Sequence, residues 1–368
     1  MGKEIKTVFV GVSGGVDSSV SVAILKDQGY NVIGVFIRTW TPDFIECTWR
    51  DERRDAMRVC AHLGIPFLEC DAEEAYKKGV ADYMIEEYKK GNTPNPDVMC
   101  NREVKFGIFW NFAKAHGADF IATGHYAINN NGLQKSPDES KDQSYFLWTL
   151  TKDDLSHVLF PIGHLHKTEV RMLAKKYNLP TAVKKDSQGV CFLGPLDMKD
   201  FLKHYIKSEK GNVLNEEGKI IGTHEGAVFF TLGERHGFNI TEKGELDKPL
   251  YVIEKDVKNN TITVSPCTRQ GLVQTNIKAL DNEKKDNTRQ GLVHTVGIIN
   301  TNWISNIPEK YYKYTAQIRY HGELLNCQIE VLKDNEALVN FSSNILVDSG
   351  QSIVIYDGDI CLGGGIVR

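Results

Sequence analysis

The chain has 368 residues, more than one ordinary domain holds, so two or three folded units are expected. Its hydrophobic content of 41% and charged content of 25% exclude a disordered or fibrous chain. A formal charge of −4 gives the whole molecule no electrostatic sign of nucleic-acid binding, and no apolar run approaches a membrane span.

The first apolar run, Thr7-Val8-Phe9-Val10-Gly11-Val12, predicts a buried strand. It is too short for the core of a secretion signal, so the expectation is a cytoplasmic protein without a membrane partner. Ser13-Gly14-Gly15-Val16-Asp17-Ser18-Ser19 follows directly, and Ser18 to Gln28 carry apolar residues at helical spacing. The glycines therefore fall in a strand-to-helix turn, where main-chain N–H groups and a helix start suit phosphate. No Gly-Lys-Ser/Thr follows, which excludes the P-loop of kinases and GTPases. The Ser-Gly-Gly-x-Asp-Ser form resembles the PP-loop of N-type ATP pyrophosphatases. That resemblance implies ATP held at Gly11, Val12, Ser13, Gly14, Gly15, Val16, Asp17 and Ser18, with Asp17 helping to place Mg²⁺. A ligand-free helix capped by Asp17 or Ser18 is the plainer alternative.

Strand and helix patterns then alternate through Asn31–Ile37, Arg50–His62, Pro66–Cys70, Ala72–Lys90, Arg102–His116 and Asp119–Thr123. Repeated βαβ units predict a doubly wound parallel sheet of the α/β class, with ligands at the strand C-terminal ends. The proline-rich loop Gly91–Asp97 interrupts this series and delivers Asp97 and Cys100 just before a helix. A thiol at a helix start has its thiolate favoured, so Cys100 is a candidate nucleophile and Asp97 a candidate general acid or base. A capping Asp beside a buried Cys is the alternative.

Residues 161–210 hold ten Lys/Arg against five Asp/Glu. This stretch is either a phosphate-facing surface, with Lys184 and Lys185 toward RNA, or the solvated faces of two helices. Within it, Cys191 follows the turn Asp186-Ser187-Gln188-Gly189. Two loop cysteines that met in space would supply a nucleophile and a sulfur-carrying or resolving thiol. The other six of the eight cysteines are read as structural, and their spacing matches no metal site.

Beyond residue 205 the runs Lys219–Thr223, Ala227–Leu232, Leu250–Ile253 and Thr261–Ser265 are short and turn-separated. Tyr312, Tyr314, Ala316, Ile318 and Tyr320 alternate with polar residues as in one half-buried strand, which puts Arg319 and Tyr320 on opposite faces. Residues 336–341, 350–356 and 359–367 extend this into a small closed barrel. The expected units are an α/β domain at 1–205, a small central α+β domain at 206–285 and a C-terminal β-barrel at 286–368.

Several blocks are similar, in family order across essentially the whole chain, to the bacterial tRNA-specific 2-thiouridylases. They are Gly11 through Ser18, Thr93 through Asn101, Ala122 through Tyr126, Lys141 through Phe146, Lys185 through Phe192, Arg319-Tyr320 and Cys361 through Gly365. The resemblance implies ATP-dependent transfer of sulfur to C2 of the wobble uridine of tRNA. Uridine would be adenylated, and sulfur would come from a persulfide on Cys191 loaded by a donor protein. Cys100 would be its paired thiol. Further ATP contacts are implied at Ile37 and Gly124, and base contacts at Asn95, Pro96 and Asp97. Other tRNA contacts would fall at His125, Lys141, Asp142, Gln143, Arg319, Tyr320 and Gln351. The chain departs from the family pattern at Ile37 (commonly Met), Glu234 (Gln) and Ser349 (Pro), which puts fine tRNA contacts in question rather than the chemistry. Rival readings are another PP-loop enzyme, such as a tRNA lysidine synthetase, or an inert nucleotide- or RNA-binding protein.

Overall fold

The structure is a computed structural model that describes residues 5–45, 49–186, 197–241, 249–266 and 292–368. Strand β1 (Thr7–Gly11) pairs in parallel with β2 (Asn31–Arg38) on one side and β4 (Phe120–Ala122) on the other. With β3 (Phe67–Asp71) and β7 (Val158–Leu159), the sheet order is β3-β2-β1-β4-β7, all parallel.

Alternation along β1 builds two cores. Val8 and Val10 pack with Val22 and Leu25 of helix α1 (Val16–Asp27) and with Ala56 and Val59 of α2 (Trp49–Leu63). Phe9 points to the opposite face, among Tyr76, Val80, Val104, Phe109 and Ala113. The second face of α1 packs Val16 and Val20 on Val170 and Ala174 of the helix Lys167–Lys176.

The middle segment contributes a five-stranded sheet ordered β10-β9-β8-β12-β11. Its strands are β8 (Gly211–Leu214), β9 (Ile220–His224), β10 (Phe238–Ile240), β11 (Tyr251–Asp256) and β12 (Thr261–Ser265). The apolar run at 227–232 reads as a strand, yet the chain forms a 3-10 turn at Ala227–Phe229. Gly226, at φ +142°, redirects the backbone so that Phe229 enters the core around Phe9 while Phe230 enters the middle-sheet core.

The C-terminal segment closes as a six-stranded antiparallel barrel. It runs β13 (Leu292–Trp303), β16 (Ala337–Leu346), β15 (Leu325–Val331), β14 (Tyr314–Gln317), β17 (Ser352–Asp357) and β18 (Ile360–Val367), with β18 returning to β13. The hairpin β5–β6 (Ala127–Asn129 and Leu133–Lys135) of the first unit is added to this sheet through Ile360 opposite Gln134. One expectation changes here. The strand expected over 312–320 stops at Gln317, because a turn at Arg319–Gly322, with His321 at φ +57°, lifts Arg319 and Tyr320 out of the ladder.

Phe109 is fully buried beneath β1, its ring 3.6 Å from where a Cβ on Gly11 would sit. Phe109→Ala should therefore destabilise the protein by about 3–5 kcal/mol, which thermal unfolding followed by circular dichroism would register as a lowered Tm.

Candidate active site

At the end of β1 the chain turns through Gly14 at φ +71°. A Cβ there would lie 2.5 Å from the Glu52 carbonyl oxygen, so only glycine fits against α2. Gly15 is the N-cap of α1, and no side chain caps the helix. Asp17 and Ser18 lie inside the helix rather than capping it, so the plain-cap alternative loses its residues. Ser13 and Ser18 hydroxyls stand 3.3 Å apart, and Ser19 Oγ donates to Gly15 O at 2.6 Å. First-turn N–H groups without a side-chain cap, at the positive end of a 12-residue helix, form an anion-binding surface.

Gly124, at the end of β4, closes on this turn. A Cβ at Gly124 would be 2.8 Å from Ser18 N, and the two backbones touch because neither side chain nor strand intervenes. Ile37 Cδ1 lies 3.6 Å from the equivalent position on Gly11, so this further residue expected to contact ATP is adjacent to the strand end that leads into the turn.

Charge converges on the same turn from later in the chain. Asp17 accepts from Lys167 Nζ at 2.7 and 2.8 Å and from the Tyr126 hydroxyl at 2.9 Å. Lys167 also pairs with Asp186 at 2.9 Å, and Lys141 reaches Asp186 at 3.1 Å. Burial opposes ionisation of Asp186, but Lys167 and Lys141 outweigh it and hold its carboxyl down at about 2. Lys184 Nζ donates to Gly14 O at 3.0 Å and pairs with Asp55 at 2.8 Å. Of the two lysines that one reading of this stretch turns toward RNA, Lys184 is engaged at the glycine turn, while Lys185 is exposed.

The second cluster grows from the proline loop. Asn95 caps the helical run 96–115, its side chain accepting from Asp97 N and Val98 N at 3.1 and 3.2 Å. The helix thus begins at Pro96, earlier than the sequence suggests. Asp97 occupies its first turn, while Cys100 sits in the next turn and is buried. Cys100 therefore lies one turn beyond the helix start, where the sequence reading places it at the start itself. From Asn101 to Ile108 the run is π-helical, a geometry that recurs at functional sites. Its five-residue step, seen from Phe109 N–H to Val104 O, brings Lys105 back toward the Cys100 end.

Burial dominates the electrostatics of this cluster. It pushes the Asp97 carboxyl up, with Lys105 opposing, and it holds the His125 imidazole neutral well below its ordinary range, with Lys105 reinforcing. His125 Nδ1 lies 2.7 Å from Thr123 Oγ1, and its ring faces Phe106 and Phe160 at centroid distances of 5.7 and 6.0 Å. Tyr320 of the barrel turn packs on Phe146 at 4.3 Å. Burial, then Asp142 and Asp97, push its phenol up to about 12. Asn95, Asp97 and Cys100 thus share the opening turns of one helix, Tyr320 lies within electrostatic reach of Asp97, and Lys105 acts on both Asp97 and His125.

The remaining residues expected to contact tRNA divide. Asp142 accepts from Ser136 N and Ser144 Oγ, and Gln143 exchanges hydrogen bonds with the Tyr126 backbone, so both brace the loop behind the site. Arg319 donates to Leu232 O of the middle segment. Gln351 accepts from Asp348 N at 3.1 Å. Cys191 lies outside the described residues. Sequence reasoning misses Lys105, Tyr126 and Lys167. The π-helical step leaves no local signature, and the contacts of Tyr126 and Lys167 with Asp17 span 109 and 150 residues.

A histidine held neutral in the folded state binds its proton more readily unfolded. Stability is therefore lost as pH falls through about 6.5, by up to about 1.4 kcal/mol per pH unit. His125→Gln should flatten the decline in Tm between pH 7.5 and 5.5, checked by thermal melts across that range.

Residues 6–195 match the tRNA methyl transferase HUP domain family, 199–266 the tRNA methyl transferase PRC-barrel domain, and 293–367 the aminomethyltransferase beta-barrel domain. The chain is 41% identical to the tRNA-specific 2-thiouridylase MnmA of Geobacillus thermodenitrificans, over 98% of this chain and 94% of that one. Identity is 40% with the protein of the same name from Listeria innocua and 39% with that from Lysinibacillus sphaericus, the latter covering 93% of that chain. With this likeness running almost the full length of both chains, the protein belongs to the tRNA-specific 2-thiouridylase (MnmA) family.

Proposed function

We propose that the protein is an ATP-dependent sulfurtransferase that converts the wobble uridine of tRNA to 2-thiouridine through an adenylated base and a cysteine persulfide. The observation that carries the reading is the placement of Asp97 and Cys100 on the helical run before β4, whose far end lays Gly124 on the uncapped ATP turn.

The two clusters suit the two halves of such a reaction. Uridine O2 attacks the α-phosphorus of ATP and pyrophosphate leaves, its charge received by the first-turn N–H groups of α1 and by Lys167 and Lys184. Asp97, whose charged form burial disfavours, exchanges the proton that moves as the base is activated. Mg²⁺ takes one or two carboxylates together with phosphate oxygens and water, and Asp17 at the turn fits that role. Among the described residues no cluster of three His, Cys, Asp or Glu forms an all-protein metal site. When bound, the ion would offset phosphate charge.

For the second half, the terminal sulfur of a persulfide on Cys191 bonds to C2 and AMP departs. Cys100 then attacks Cys191 Sγ, which closes a disulfide and leaves sulfur on the base; alternatively Cys100 first frees sulfide from the persulfide. Either route ends in a Cys100–Cys191 disulfide that a dithiol reductant must reopen. A persulfide-bearing donor protein and tRNA are the implied partners, and the cytoplasm the implied compartment. No helix among the described residues is long and apolar enough to cross a membrane.

Gly14→Val is a poor probe of the turn, because its side chain would collide with the α2 backbone. Asp17→Asn preserves shape and should slow tRNA-dependent pyrophosphate release at least 100-fold. Lys184→Met should raise KM for ATP about tenfold with tRNA affinity unchanged. Normal pyrophosphate release by Asp17→Asn would overturn the assignment of this turn.

With a protein persulfide donor, Cys100→Ser and Cys191→Ser should each lose thiolation, scored by mass analysis of tRNA nucleosides, yet still release pyrophosphate. Sulfur trapped by alkylation should sit on Cys191 in the Cys100→Ser protein. Labelling of Cys100 alone in the wild type would reverse the two roles, and absence of 2-thiouridine from wild-type reactions with Mg-ATP and donor would reject the function.

A further inference from the structure

We infer that Lys255, Asp348 and Thr93 form a positioning device that sets the Asn95–Asp97 loop for the base, an inference that rests on that loop receiving the uridine. Lys255 and Asp348 come from the middle sheet and from the start of the barrel loop between β16 and β17, and their side chains are 1% and 0% exposed. Lys255 Nζ lies 2.7 Å from Asp348 Oδ2. The same oxygen accepts from Thr93 Oγ1 at 2.7 Å and from Leu232 N at 3.3 Å. Lys255 Nζ also donates to Phe230 O at 3.1 Å and to Thr93 Oγ1 at 3.3 Å. One hydroxyl therefore donates to the acid and accepts from the base, and it belongs to the first unit.

The backbone repeats the connection. Thr93 N donates to Ser349 O at 2.7 Å, and Gly350, at φ +87°, has no room for a side chain because a Cβ would sit 3.0 Å from Thr93 N. On the other side, Asn92 Nδ2 is held by Glu87 at 2.6 Å.

The chain beyond Thr93 is stiff. Pro94 and Pro96 have fixed φ, and the residues before them, Thr93 and Asn95, are themselves restricted. Asn95 then caps the helix whose first turn holds Asp97. With so few free torsions between Thr93 and Asp97, the place of the Thr93 hydroxyl fixes the place of the base-contacting residues. A buried ion pair adds little net stability compared with an apolar pair of similar volume, but it fixes geometry, because each charge must keep all its partners. Its site, one stiff step from Asn95 and joined to the barrel turn that ends at Gln351, suits a register role rather than a bulk stabilising one.

Thr93→Val tests this while leaving the ion pair and the side-chain volume in place. The expected result is a fall of at least tenfold in kcat for tRNA-dependent pyrophosphate release, with KM for ATP within twofold and tRNA Kd within threefold of wild type. Thr93→Ser, which restores the hydroxyl, should recover kcat to within threefold. The paired replacement Lys255→Met with Asp348→Leu should lower kcat as Thr93→Val does, and the triple variant should lose no more than either, because all three act through one contact. A Thr93→Val protein with kcat within twofold of wild type overturns the proposal, as does a KM for ATP that rises in step with the loss of kcat. A wild-type protein without tRNA-dependent pyrophosphate release would instead remove the functional reading beneath it.

Discussion

Everything at the site depends on β1 lying between β2 and β4. The chain leaves β1 toward one edge of the sheet and returns to its other side at β4, so the connections at the C-terminal ends of these neighbours diverge and leave a crevice. The Gly14 turn fills one lip and Gly124 the other. The helical run that precedes β4 must therefore cross the face of the sheet, which carries Asp97, Cys100 and Lys105 to the same crevice. Parallel pairing of three strands thus determines which distant residues become neighbours.

Two electrostatic environments result, and they differ in kind. Around the turn, cations and acids alternate: Lys167 between Asp17 and Asp186, Lys184 between Asp55 and the Gly14 carbonyl. A polyanion entering here exchanges existing partners rather than meeting bare charge. Around Asp97 and His125, burial shifts both groups toward their neutral forms. Lys105 is the cation that acts on both groups. On the proposed reading, phosphate chemistry and base chemistry fall in these two different surroundings.

Legibility in the sequence follows distance along the chain. The strand, turn and helix at 7–28 are readable because seven consecutive residues specify them, and the parallel α/β class follows from the alternation of patterns. The barrel is readable from period-two runs. The two prolines suggest a loop through Asp97 and a helix that begins only at Arg102, whereas Asn95 caps and Pro96 opens the helix. Arg319 and Tyr320 keep the strand period past the point where the His321–Gly322 turn ends the ladder. Lys184 shares its basic surroundings with exposed lysines, and only tertiary packing turns it inward. Tyr126 and Lys167 meet Asp17 across more than a hundred residues, a relation that no local pattern encodes.

The β5–β6 hairpin carries a consequence for biosynthesis. A sheet edge at Leu133–Lys135 finds its partner only in β18, at Ile360. At about 5–20 residues per second, a ribosome needs roughly 10–45 s to make the intervening chain. Throughout that interval the nascent first unit presents an unpaired edge, the kind of surface that recruits foreign strands. Truncation anywhere before β18 would make this exposure permanent. Chains cut short in the barrel should therefore be prone to aggregation even where their parallel sheet is intact.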